Sequence, residues 1–151
     1  MTTERKYLPT FAELIDRQSI VLLKRVFIPE NNLDYGNELQ VIEQDINALI
    51  NAWHGAGHNF TAYDLRMIMM VMLANRWIWE NESKVRANHE SAMAMGPKVL
   101  ADLLRGTHSV NGVRNTAKNQ LARVFGERQD KKVDCLAADL PKEFGNWNAF
   151  D

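Results

Sequence analysis

Val71–Glu90 reads VMLANRWIWENESKVRANHE, and its reading decides the fold. The stretch opens as a Met- and Leu-rich helix, passes through Trp77 and Trp79, and then turns polar. At 100° per residue, Asp64, Asn75, Trp79, Glu82 and Arg86 fall within about 60° of one another. Ile68 and Val71 share that stripe, so a single helical line changes from apolar to polar. Helix interiors admit an amide, a carboxylate and a guanidinium only where something satisfies them. The stripe therefore reads as the wall of a polar pocket on a long central helix.

Working outward, Thr61-Ala62-Tyr63-Asp64 supplies the cap for this third helix, which should run to about Ala87. Upstream, Thr10 and Glu13 form a capping box that starts a first helix, and Pro29 stops it at about Ile28. A second helix is expected from Asn31 to about Trp53, with Leu39, Ile42, Ile46, Leu49 and Ile50 at helical spacing, followed by a loop at His54–His58. Downstream, a helical turn is expected over 89–95 and a break at Gly96-Pro97. A short helix Val99–Leu104 closed by Gly106 should precede another from Thr107 to about Phe125, stopped by Gly126. A charged turn, a short helix from Val133 to Leu140, and a tail docked through Phe144, Trp147 and Phe150 complete the expectation. No strand-period alternation or repeat is present. The fold class is all-α, a bundle of four main helices plus short ones, in a single domain over 1–151.

With 46% apolar and 25% charged residues, the 151-residue chain has an ordinary globular balance. Its formal net charge of -1 provides no global basic field, which argues against long nucleic acid as partner. The single cysteine, Cys135, reads as a small apolar residue and fits a reducing, cytoplasmic setting. The N-terminal segment does not read as a signal peptide, and the longest apolar run, Met67–Ala74, is too short to span a membrane.

Three polar stripes are candidates for chemistry. The first is Glu13, Asp16, Arg17 and Lys24; the second is Asn75, Trp79, Glu82 and Arg86. The third comprises His108, Asn111, Arg114, Asn115 and Lys118, within about 120° of each other beside an apolar face. Asn111, Gly112, Asn115 and Asn119 make that helix poor on propensity, at about 0.5–1 kcal/mol each. Local stability is often given up where a site is built. Arg86, Arg114 and Lys118 can hold phosphate oxygens. Asn75, Asn111 and Asn115 can read ring or sugar edges, and Trp79 can stack. The expected function is capture of a nucleotide-like phosphorylated small molecule, without a cofactor, by a homo-oligomer. Solvated faces are the bland alternative, since Glu13–Arg17 and Glu82–Arg86 are i,i+4 pairs that ordinarily sit in water.

Glu13-Leu14-Ile15-Asp16 is an E-x-x-D pair on one helix face, and Glu80 and Glu82 lie on another helix. This resembles the all-α nucleoside triphosphate pyrophosphohydrolases of the MazG-like type. The resemblance implies Glu13 and Asp16 as Mg²⁺ ligands, although the E-x-x-E partner is missing. ELIDRQSIVLLK and IWENESKVR are similar to segments of small helical proteins from phage and polysaccharide-gene neighbourhoods. That likeness implies a phage or mobile-element origin and no activity of its own; joined to the capture reading above, it gives a phage protein that sequesters a signalling nucleotide. A third alternative is a protein–protein interaction module using the Met- and Trp-rich faces.

Overall fold

The computed structural model describes residues 7–87 and 96–130. Four α-helices follow one another: α1 Phe11–Phe27, α2 Asn32–Gly55, α3 Ala62–Ala87 and α4 Pro97–Val124, with a 3-10 turn at Pro29–Asn31 between α1 and α2. The all-α bundle follows from the sequence periodicity. The short helix expected at 133–140, the turn at 89–95 and the docked tail lie outside the described residues.

Several of the helix ends have a local cause. Thr10 Oγ1 accepts the Glu13 amide at 3.1 Å while Glu13 Oε2 accepts the Thr10 amide at 2.7 Å, which completes the capping box of α1. Pro29 ends α1, and Lys24 and Arg25 in its last turn oppose the helix dipole. Asp64 is buried as the reciprocal partner of Thr61, accepting both its amide and its hydroxyl at 2.7 Å. That role takes Asp64 out of the polar stripe. Gly126, at φ 66°, takes the left-handed turn that follows α4.

Helix α2 runs on to Gly55, into the expected loop, and the larger difference from expectation lies in α4. Val99–Leu104 and Thr107–Phe125 are not two helices; α4 runs unbroken through Gly106, which is buried. Thr107 does not cap a new helix. Its hydroxyl bonds back to the Leu103 carbonyl at 3.1 Å, and Asn81 of α3 donates to both Leu103 O (2.8 Å) and Thr107 Oγ1 (2.6 Å). Pairing with α3 thus stabilises a segment that glycine would weaken by about 1 kcal/mol on its own.

The helices alternate in direction. Phe11 at the start of α1 stacks on Phe125 just past the end of α4 (4.0 Å between ring centres), and Trp53 near the end of α2 stacks on the same ring at 4.3 Å. At the other end, Phe27 closes α1 beside Trp79 of α3. Helix α1 touches all three others, while α3 and α4 make the longest pairing. The core joins Phe11, Leu14 and Val21 to Leu39, Ile42 and Ile46 of α2, Met67 and Val71 of α3, and Val113, Ala117 and Leu121 of α4. Burying each large side chain contributes about 1.5–3 kcal/mol.

Candidate functional site

Where α1, α3 and α4 meet above this core, polar groups converge. Asp16 and Ser19 stand one helical turn apart on α1, so both reach α3 at the same level. Asn75 Nδ2 donates to Asp16 Oδ1 at 2.8 Å and to Ser19 Oγ at 2.6 Å. The Asn75 Oδ1 accepts from Arg114 of α4 at 3.0 Å. Lys118, one turn beyond Arg114, donates to Asp16 Oδ2 at 3.0 Å, and Arg114 Nε lies 3.9 Å from Asp16 Oδ1. The Ser19 hydroxyl donates to the Asp16 carbonyl at 2.8 Å. Asn75 is 3% exposed, and the Asp16, Arg114 and Lys118 side chains retain 14%, 24% and 20% of their surface.

The charge of this cluster is uneven. Two cations share one carboxylate in a partly desolvated position, where an unmatched charge is costly. One turn before Arg114, the Asn111 Oδ1 is buried and has no hydrogen-bond partner among the described residues.

Lys118 also faces a cleft of about 340 Å³ between the start of α1 and the end of α4, where Tyr7, Thr10, Asn119 and Arg128 join it together with the carboxylates Glu13 and Asp130. The wall is made by residues 125–130 folding back. Asn119 exchanges two hydrogen bonds with the backbone of Asp130, both at 2.9 Å, and Asn115 reaches Asp130 O at 3.5 Å. Asparagines unfavourable for α4 on propensity thereby fasten the segment that follows it. Arg128 pairs with Glu13 at 2.6 Å and lies 4.0 Å from the Tyr7 ring centre. Glu127 crosses to α1, and its carboxylate accepts the Phe11 amide at 2.7 and 3.0 Å. Burial pushes the Glu127 carboxyl above its ordinary range, although the amides of Phe11 and Ala12 and the charge of Arg128 pull it down.

Of the residues expected to form one pocket, Asn75, Arg114 and Lys118 come together; the others do not. Trp79 lies at the far end of α1 against Phe27, 6.1 Å between ring centres. Glu82 and Arg86 pair with each other at 3.3 Å, 52% and 68% exposed, so that i,i+4 pair sits in water. His108 is exposed, and Asn111 and Asn115 sit beside the cluster on α4 without joining its hydrogen bonds. The reason is axial: Asn75 and Arg86 share an angle on α3 but are about 16 Å apart along it. Glu13 is likewise spent on Thr10 and Arg128, and Arg17 bonds Glu38 of α2 at 2.7 Å rather than Glu13. Asp16, placed in the Mg²⁺ alternative, is instead the centre of the network. Among the described residues no group of three or more His, Cys, Asp or Glu is placed to hold a metal ion. None of their helices is long and apolar enough to cross a membrane.

Ser19, Tyr7, Asn81, Glu127 and Arg128 were not foreseen. Ser19 had a signal, the i,i+3 spacing from Asp16 on an apolar face; Glu127 and Arg128 had none, because their partners lie more than a hundred positions away. Comparison with protein-family models, with curated proteins and with solved structures gave no match.

Proposed function

We propose that the protein binds a small phosphorylated, nucleotide-like molecule in the cleft beside Lys118, holding it without transforming it. One observation supports this reading: Lys118, whose partner Asp16 is shared with Arg114 in a sheltered position, stands at the wall of a cleft whose rim also carries Arg128. Phosphate oxygens would give Lys118 and Arg128 further acceptors through short, charge-assisted hydrogen bonds, beside the carboxylates of Glu13 and Asp130 that also line the cleft. Arg128 stands at the rim, and the largely exposed Tyr7 ring offers a surface for a base. A cleft of about 340 Å³ suits a ligand of that size. In a phage setting, such capture would sequester a host signalling nucleotide.

Calorimetry with a panel of nucleotides tests the proposal, together with mass spectrometry of small molecules released when the cell-purified protein is denatured. Binding should fall at least tenfold in Lys118→Gln and Arg128→Gln. A panel with no binder and a protein that releases no phosphorylated molecule would reject it.

A second reading, an interaction module that pairs with its own copy, is favoured by the outer face of α3. Leu65, Met69 and Leu73 recur every four residues there and remain 52%, 64% and 56% exposed. An antiparallel two-fold pairing centred on Met69 would set Leu65 of one copy against Leu73 of the other. Light scattering should report a dimer that becomes a monomer in Leu65→Gln/Leu73→Gln. A monomeric parent protein would sink this reading.

A further inference from the structure

The seat that α3 and α4 make for α1 continues past the end of α1. Along its length α1 lies against one line of α3, Asn75 and Trp79, and one line of α4, Arg114 and Lys118. Both lines run on at three- and four-residue spacing, to Glu82 and Arg86 on α3 and to Thr107, Leu104 and Leu100 on α4. Helix α1 stops at Phe27 beside Trp79, whereas α3 runs to Ala87, about 12 Å further at the ordinary helical rise. Cover is lost gradually on the α1 side: Ile15 and Ser19 are buried, Leu22 is 41% exposed and Val26 68%. Beyond it, residues of α3 and α4 border an open groove of about 600 Å³. Its lining is apolar at Val85, Leu100, Leu103 and Leu104 and charged at Glu82 and Arg86. Leu104 stays 61% exposed.

The kind of occupant follows from shape and charge. Lower down, the groove between α3 and α4 holds a helix, so its continuation is fitted to a helix face. Its leucines call for an apolar stripe on that face. The charged lining is self-complementary, because Glu82 and Arg86 carry opposite charges one turn apart. A two-fold axis crossing α3 between them sets Glu82 of one copy against Arg86 of the other, twice over, with the two α3 helices antiparallel. A contact between identical surfaces requires this arrangement; a helix from an unrelated protein would not.

We infer that the groove beyond α1 is a self-association surface, where the α3–α4 arms of two copies pack face to face as an intermolecular four-helix bundle. Leu100 and Leu104 supply the apolar contact, and the charges at the rim set its orientation. This face lies about 120° round α3 from Leu65, Met69 and Leu73. The inference is therefore independent of the outer-face pairing and of the Lys118 cleft.

Sedimentation velocity on the intact chain, over a wide range of concentration, tests it. The parent should dimerise, and Leu104→Glu, at an exposed position, should weaken the dimer by about tenfold or more. Glu82→Arg and Arg86→Glu should each weaken it too, because like charges then meet across the axis. An equimolar mixture of these two variants should recover the dimer, since every pair across the axis is again of opposite charge. Within each variant the like charges remain, so a purely intramolecular role for the pair would give no recovery. Leu65→Gln/Leu73→Gln should leave this association in place, which separates it from the outer-face pairing. A parent that stays monomeric, whatever helix or small molecule it captures, would overturn the inference. So would a dimer unchanged in Leu104→Glu, or a mixture no more associated than its components.

Discussion

Asn75 and Arg86 share one angular stripe of α3, yet the two ends of that stripe behave oppositely. At Asn75 the helix is enclosed by α1 and α4, and the amide is saturated by Asp16, Ser19 and Arg114. Three turns on, Arg86 reaches Glu82 on its own helix and no other carboxylate among the described residues, and both stay in water. Enclosure by neighbouring helices makes the difference: the same residue types become a fixed network at one level and a solvated pair at the other. Electrostatics follow, because a charge pair shielded from water interacts more strongly and is more costly to break than one in solvent.

Removing the centre of the enclosed network should separate the two ends most. Asp16→Ala leaves Arg114 and Lys118 sheltered without a counter-charge, and should cost about 3 kcal/mol in urea unfolding, near the lower bound for broken buried pairs. A loss below about 1 kcal/mol would mean that water already compensates the cluster. Asn75→Ala should come next at about 2 kcal/mol, since Asp16, Ser19 and Arg114 each lose a partner. If the amide contributes only to ligand binding, stability will not move.

Glu127 tests the comparison through pH. Its carboxyl is raised in the folded chain above the 4.5 of the unfolded one, so the folded state holds the proton more tightly. Stability from this group is therefore fully present below about pH 4.5 and declines as the pH rises through the folded value. Glu127→Gln keeps an acceptor for Phe11 and should flatten that part of the stability–pH curve. Identical slopes in parent and variant would contradict the assignment. The smallest effect belongs to the outer end: Glu82→Ala should change stability by no more than about 0.5 kcal/mol, and less in high salt. A larger loss would show that this pair is not simply solvated.

Much of this architecture was legible in the chain because the signals are local. The Thr10–Glu13 box, the stop at Pro29, the Thr61–Asp64 cap and the Gly126 turn each involve residues within a few positions. The break read into Gly106 failed for the converse reason. The cost of glycine is visible locally, but Asn81, whose hydrogen bonds hold that part of α4, belongs to another helix. The pocket was half legible: Asn75, Arg114 and Lys118 do meet, whereas Trp79 and Arg86 belong to a different cleft.

The sequence by itself determined the helices, their caps and the angle at which each side chain leaves its axis, since these depend on neighbours one turn away. Only the tertiary structure decided which levels of the helices face one another, and hence which cation found which carboxylate. Arg17 passes over Glu13 for Glu38, and Glu13 takes Arg128 from the far end of the chain. Such choices differ by a fraction of a kcal/mol in exposed pairs. They are settled by the packing of the apolar core, which fixes rotation and axial offset before any surface charge selects its partner.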